Sequence, residues 1–193
     1  MIISNKETNT IFKSLSFLGW DFHFQRHLDK ICNSNVSPAR VVGVHKNSFL
    51  INRGTQETLV TVAGRLSYKK DHLFPVIGDW VLVNDKVIFD VLPRKNVLSR
   101  GAAGARGKQD MQPNKEQVIA ANLNSVFIVS GMDRDFNIRR IERYLTLVYN
   151  CGLNPVIVLT KADLHQDPEP FVREVEDVAF GVPVHLVSAN DSH

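Results

Sequence analysis

Residues 154–190 read NPVIVLTKADLHQDPEPFVREVEDVAFGVPVHLVSAN, and this stretch decides the fold of the second half of the chain. The apolar runs at 155–159 and 182–187 have the length and composition of buried strands. A helix is predicted between them at 168–180, and Gly181 ends it. Strand, helix and strand with short connections predict a parallel sheet with right-handed crossovers.

The same alternation continues upstream of this stretch. Residues 125–129 (SVFIV) predict another buried strand. A helix should follow it and stop at Gly152, because apolar side chains recur at helical spacing at Ile138, Ile141, Leu145 and Val148. Residues 118–193 are therefore predicted to form an α/β domain.

Two short motifs follow the predicted strands, TKAD at 160–163 and SAN at 188–190. Ligands on parallel sheets bind at the carboxyl ends of the strands, so the two motifs are expected to meet there. A carboxylate at Asp163 can accept both adjacent donors of guanine, its N1–H and its exocyclic amine, whereas adenine presents a different edge. The predicted guanine-binding residues are Thr160, Lys161, Ala162, Asp163, Ser188, Ala189 and Asn190.

Three further motif residues have expected roles. Lys161 can lay its aliphatic stem across the base and ribose while its ammonium stays solvated. The Ala189 amide would donate to guanine O6, and Thr160 would support the loop by hydrogen bonding. The alternative for Asp163 alone is a helix cap.

The first half of the chain has a different period. Short β-type runs separated by turn formers are predicted at 39–45, 49–53, 58–63, 80–84 and 87–92. Five such strands with one longer polar connection predict a small closed barrel of the OB-fold type across residues 38–93.

Charge is divided unevenly along the chain. Residues 38–115 hold 13 Lys and Arg against 6 Asp and Glu, a balance of +7, while residues 116–193 hold 6 against 11, a balance of −5. A basic barrel is typical of RNA binding, and a merely solvated basic face is the alternative. The candidate RNA contacts are Arg40, His45, Lys46, Arg53, Arg65, Lys69, Lys70, Arg94, Lys95, Arg100, Arg106 and Lys108.

Residues 94–117 are basic and glycine-rich and are predicted to be a flexible linker. Within them, AAGARGKQ at 102–109 approaches the phosphate-loop pattern. Gln109 stands where the pattern needs a hydroxyl for magnesium, and no convincing helix follows, so the match is rejected.

Residues 1–37 form an N-terminal extension with a weakly helical, aromatic segment at 12–31. His23 and His27 have metal-ligand spacing but no third ligand nearby, so no metal site is predicted. Two distant cysteines, the lack of a signal sequence and the lack of a long apolar stretch predict a cytoplasmic protein with no membrane partner.

Several longer stretches carry a resemblance. They are FPVIGDWV at 74–81, LPRKNVLSR at 92–100, EQVIAAN at 116–122, FNIRRIERYL at 136–145 and TKADL at 160–164. In these stretches the chain resembles the circularly permuted GTPases of the RsgA (YjeQ) family, whose base-recognition motifs precede the phosphate loop. The resemblance implies a GTPase domain after an OB barrel, GTP or GDP with magnesium, and binding to the small ribosomal subunit and its rRNA in late maturation. It also implies a structural zinc in a later domain.

The family's phosphate loop, switches and zinc ligands would follow His193, so residues 1–193 alone are expected not to hydrolyse GTP. The half-built sheet is expected to self-associate through an exposed edge and apolar face. Two other functions stay open: a stand-alone RNA-binding barrel without a nucleotide role, and a different P-loop enzyme such as an ATPase. A phosphate-loop sequence encoded after His193 would favour the nucleotide function, and a stop codon the barrel.

Overall fold

The computed structural model describes residues 13–31, 35–64, 74–101 and 116–189. The chain divides into two compact units. The barrel unit comprises Met1–Val97 and Val118–Asn122, and the sheet unit comprises Leu98–Gln117 and Leu123–His193. No helix in the described ranges is long and apolar enough to cross a membrane.

The barrel unit is built on a closed five-stranded barrel, as predicted. Its strands are β1 Ser37–Val44, β2 Phe49–Asn52, β3 Glu57–Val62, β4 Trp80–Asn84 and β5 Val87–Val91. Their order around the barrel is β1-β2-β3-β5-β4. Only β3 and β5 pair in parallel among these neighbours, and Val41, Ile51 and Val83 are among the side chains that fill the interior.

Strand β4 is buried on both of its faces, which explains its continuous run of apolar residues. Val81 and Val83 point into the barrel, while Trp80 and Leu82 point outward into a second core formed with the N-terminal segment. Trp20 packs edge-on against Trp80, with ring centroids 4.7 Å apart. The aromatic N-terminal segment therefore covers one outer wall of the barrel.

The weakly helical segment predicted at 12–31 contains two separate helical stretches in its described part, residues 13–31. A helical turn at residues 13–16 is separated from helix α1, Phe22–Leu28, because Gly19 adopts a left-handed φ of +87°. The Asp21 side chain then begins α1 by accepting a hydrogen bond from the His23 amide at 3.0 Å.

Strands lie at both ends of the segment predicted as a linker, residues 94–117, and the second strand continues beyond it. They are β6, Val97–Gly101, and β7, Glu116–Ala121, and they form a two-stranded sheet. Sequence reasoning missed them because the glycines and charges between them dominate the composition of this segment.

The sheet unit has the predicted strand–helix alternation. Its elements are β8 Val126–Gly131, α2 Ile138–Asn150, β9 Pro155–Thr160, α3 Glu169–Val178 and β10 Val184–Val187. The sheet order is β10-β9-β8 and both pairings are parallel. The side chain of Asn137 caps α2 by accepting from the Arg140 amide at 3.0 Å.

The two faces of this sheet differ in burial. Ile128 and Ile157 lie on the face that packs with α2 and α3, in a cluster that includes Leu145. On the opposite face, Phe127 and Val129 are 65% and 62% exposed. Within the described residues, α2 and α3 thus cover one face of the sheet only.

Candidate guanine site

A cleft of about 460 Å³ opens at the carboxyl edge of the sheet unit. Its size lies within the range of small-molecule sites, about 300–1,000 Å³. The residues that line this base cleft are Thr160, Lys161, Asp163, Leu164, Val187 and Ala189. The structure therefore brings together residues of both motifs that the sequence places about 25 positions apart.

A hydrogen bond joins the two motifs directly. The Ser188 hydroxyl donates to Asp163 Oδ1 at 2.8 Å. Asp163 lies in a 3-10 turn, Ala162–Leu164, that begins after Lys161 adopts a left-handed φ of +64°. The turn presents the exposed carboxylate of Asp163 beside the cleft. Asn190, the last of the predicted guanine-binding residues, lies outside the described residues.

Lys161 forms an ion pair with Asp133, a residue that sequence reasoning did not select. This hydrogen bond lowers the pKa of the Asp133 carboxyl below its ordinary 3.8. The same bond raises the pKa of the Lys161 ammonium above 10.5. Both groups therefore stay charged across the physiological pH range.

The ion pair belongs to a pair of linked loops. The Met132 amide donates to the Thr160 carbonyl oxygen at 2.9 Å, and the His165 ring Nε2 contacts the Met132 carbonyl oxygen. The loop after β8 is thereby joined to the loop after β9. Thr160 takes part through its backbone, and the hydrogen bond predicted for its side chain stays a prediction.

A signal for Asp133 was present in the sequence. It is the first charged residue after the strand-like run that became β8. Because β8 and β9 are parallel neighbours, their carboxyl ends meet at one edge, as TKAD and SAN do. Asp133 was missed because no motif includes it.

Three of the basic residues predicted to contact RNA serve the barrel unit itself. Arg94 forms a two-pronged pair with Asp79, with Nε–Oδ1 at 2.8 Å and Nη2–Oδ2 at 2.7 Å. The side chains are 10% and 0% exposed, respectively. Lys95 pairs with Asp21.

Arg40 is the third of these residues. Its guanidinium donates to the carbonyl oxygen of Leu18 and, at 3.0 Å, to that of Asn122. Burial lowers the pKa of Arg40. Arg40 is therefore not a freely exposed RNA contact, because two of its guanidinium nitrogens already donate within the barrel unit.

One further candidate, Arg53, also bonds within the barrel unit, while the other candidate RNA contacts are placed differently. His45 and Lys46 are exposed in the turn between β1 and β2. Arg53 donates to the Asp85 carbonyl oxygen at 2.6 Å, and exposed Arg100 contacts Gln117 Oε1 at 3.3 Å. Arg65, Lys69, Lys70, Arg106 and Lys108 lie outside the described residues.

Within the part of the chain that the structure describes, no cluster of three or more His, Cys, Asp or Glu side chains could hold a metal ion. No described residue is therefore assigned to the magnesium or zinc that the family resemblance implies.

An OB-type barrel joined to a parallel α/β sheet is the architecture of the circularly permuted GTPases. The chain aligns with the crystal structure of YjeQ from Thermotoga maritima with a TM-score of 0.55 and 24% identity, over 79% of this chain and 52% of that one. It also aligns with the structure of YloQ, a circularly permuted GTPase, with a TM-score of 0.51 and 19% identity, over 82% and 53% of the two chains. These likenesses support the fold.

Sequence comparison identifies the family. The RsgA GTPase family profile matches residues 91–193, and the chain belongs to this family. It is 37% identical to the small ribosomal subunit biogenesis GTPase RsgA of Syntrophotalea carbinolica, over 89% of this chain and 49% of that protein. The identity to the protein of the same name from Opitutus terrae is also 37%, over 91% and 50%. The chain thus spans about half the length of these curated relatives.

Proposed function

We propose that the intact protein binds and hydrolyses GTP and acts in late maturation of the small ribosomal subunit. Family membership and the names of the relatives support this function. The observation that carries the nucleotide part is the hydrogen bond between Ser188 and Asp163 in the base cleft, because it joins both predicted recognition motifs at one site.

The proposed recognition follows from the chemistry of the guanine edge. The Asp163 carboxylate accepts from N1–H and the exocyclic amine, and the Ala189 amide donates to O6. The Lys161 stem lies against the base. Adenine offers neither the O6 acceptor nor the adjacent donor pair, so its binding would leave protein groups unpaired.

The guanine site is tested by ligand-observed NMR with this chain, using guanosine, adenosine and xanthosine. Guanosine is expected to bind most tightly. In Asp163→Asn the preference shifts to xanthosine, because the new amide donates to the xanthine O2 carbonyl. Asp167→Asn is the matched control, since its position is outside the cleft lining. An unchanged guanosine preference in Asp163→Asn would refute the role of Asp163.

We further propose that residues 1–193 alone do not hydrolyse GTP. Phosphoryl transfer depends on groups that position the phosphates and stabilise their charge. The sequence of this chain contains no complete phosphate-loop motif. Magnesium-dependent release of phosphate from GTP above a no-protein background, by the purified chain, would contradict this proposal.

The barrel unit is proposed to bind small-subunit rRNA through its exposed basic residues, one of which is Lys46. Affinity for an rRNA fragment should fall steeply with salt because phosphate contacts release counterions. Lys46→Ala should reduce the slope of log affinity against log salt by about 1. Arg173→Ala, in α3 of the sheet unit, is the control. Salt-independent binding would refute the basic-face hypothesis.

Self-association of this chain is proposed to occur through the exposed sheet face that carries Phe127 and Val129. Sedimentation equilibrium should show a mass that rises with concentration, and Val129→Lys should reduce the rise. A monomer mass at every concentration would exclude self-association.

The proposed ribosomal partner also implies the cytoplasmic location that the sequence predicts.

A further inference from the structure

Lys161 contributes to the lining of two clefts in the sheet unit. The first is the base cleft, and a second cleft of about 370 Å³ is lined by Lys161 together with residues of β8, its following loop and α2. Asp133 lines only the second cleft. Lys161 lines both clefts, and its ammonium pairs with Asp133 in the second cleft.

Asp133 is itself held in place by the backbone around it. Its Oδ1 accepts from the Asp135 amide at 3.1 Å, which leaves Oδ2 for Lys161. The preceding residue is anchored to β9 by the Met132 amide and the Thr160 carbonyl oxygen, 2.9 Å apart. A flexible lysine thus has a fixed partner.

Gly131 makes this approach possible. A Cβ atom at Gly131 would lie 3.0 Å from Asp133 Oδ1 and 3.6 Å from Lys161 Cδ. The first distance is tighter than most Cβ contacts, so the Asp133 carboxylate would have to shift by a few tenths of an ångström to admit a side chain at residue 131. The backbone at Gly131 thus leaves room for the carboxylate beside the lysine stem.

We propose that Asp133 is a positioning residue for guanine nucleotide binding, which holds the stem of Lys161 in the orientation that stacks on the base. This inference rests on the proposed guanine site. A free lysine side chain loses rotamer freedom when it is ordered against a ligand. With Asp133 present, much of the ordering of the Lys161 side chain precedes binding. Asp133 therefore raises the affinity for the base although it does not contact the base itself.

Asp133 and Asp163 are expected to differ in what they control. The lysine stem contacts any purine in the same way, so Asp133 should affect guanosine and inosine equally. Asp163 reads the exocyclic amine, which inosine lacks, so Asp163 should affect the ratio of the two affinities. This difference separates positioning from base recognition.

The test compares the dissociation constants of guanosine and inosine by NMR titration of the 193-residue chain. Asp133→Asn keeps an oxygen that can accept from the Asp135 amide and removes the ion pair. It is expected to raise the dissociation constants of both nucleosides by roughly 2- to 12-fold, which corresponds to the free-energy cost of ordering one long side chain. The ratio of the two constants should stay unchanged. Asp163→Asn should abolish the preference for guanosine. Glu169→Gln is the control, because it removes a carboxylate from a solvent-exposed pair with Arg173.

A second measurement follows the Lys161 side chain without ligand. The Cε–Hε signals of Lys161 should show greater mobility in Asp133→Asn, while the unfolding midpoint checks that the chain stays folded. The inference is overturned if Asp133→Asn binds both nucleosides as tightly as the parent while Asp163→Asn loses discrimination. It is also overturned if the guanosine-to-inosine ratio changes in Asp133→Asn. A parent chain that binds guanosine no better than adenosine would instead refute the guanine site itself.

Discussion

Replacing Arg94 by leucine would leave the Asp79 carboxylate buried without its cation. Asp79 is fully buried and accepts hydrogen bonds from Arg94 Nε, Arg94 Nη2 and the Val76 amide. Arg94→Leu removes two of these three bonds and keeps only the amide. Arg94 Nη2 also donates to the Phe74 carbonyl oxygen at 2.9 Å, and that bond is lost as well.

The expected loss of stability follows from these contacts. Two charge-assisted hydrogen bonds contribute about 1.5–3 kcal/mol each. Removing one partner of a buried pair costs about 3–5 kcal/mol, which is a large share of the 5–15 kcal/mol typical of a domain. Arg94→Leu should therefore lower the free energy of unfolding of the barrel unit by about 3–5 kcal/mol.

Urea unfolding followed by tryptophan fluorescence measures this loss selectively. The two tryptophans of the chain, Trp20 and Trp80, both lie in the barrel unit. The midpoint should fall by about 1–5 M urea, which is the loss divided by a urea m-value of about 1–3 kcal/mol per M. Arg26→Leu is the matched control, since it removes an exposed guanidinium 5.8 Å from the Phe22 ring and should cost less than about 1 kcal/mol.

A double variant tests the cause of the loss. Asp79→Leu combined with Arg94→Leu removes the unpaired charge, so the double variant should be more stable than Arg94→Leu alone. A loss below about 1 kcal/mol in Arg94→Leu would refute the reasoning, because a buried carboxylate cannot lose its cation at so small a cost. A double variant less stable than the single one would refute it as well.

Three further outcomes are expected. Gly78→Ala should destabilise the barrel unit by about 2–4 kcal/mol in urea, since φ is +87° and the new Cβ would lie 2.1 Å from a backbone carbonyl oxygen. Ile128→Ala should cost about 2–5 kcal/mol and Phe127→Ala less than about 1, because only Ile128 faces the core; thermal unfolding by circular dichroism checks the contrast. The Asp133 carboxyl should titrate by NMR with a pKa below 3.8, and this pKa should rise in Lys161→Met. Because the folded-state pKa is lowered, the ion pair stabilises the fold above pH 3.8, and this stabilisation is lost as pH falls through the folded-state pKa.

Local sequence patterns determined the elements on which both units are built. The alternating runs of the barrel fix which side chains face inward, and the apolar runs at 125–129 and 155–159 predict the strands β8 and β9. The exposure of Phe127 and Val129 on β8 was not predicted by its continuous apolar run. These patterns are readable because strand geometry turns a two-residue period into a face. The same logic placed TKAD and SAN at one edge of the sheet.

The functions of single charged residues were not readable in this way. Arg94 and Lys46 look alike in sequence, yet one is paired with buried Asp79 and the other is exposed in a turn. Composition assigns both residues to a basic surface, because it carries no information about which basic side chain pairs with a carboxylate in the folded protein. That information lies in contacts between residues 15 positions apart in one case.

The sequence by itself therefore determined the barrel, the parallel sheet and the family, since each depends on a local pattern, and it predicts the residues of the proposed guanine site. Only the tertiary structure decided that Ser188 bonds to Asp163 and that Asp133 holds Lys161. Those pairs are 25 and 28 residues apart, and they meet only because parallel strands bring their carboxyl ends to one edge.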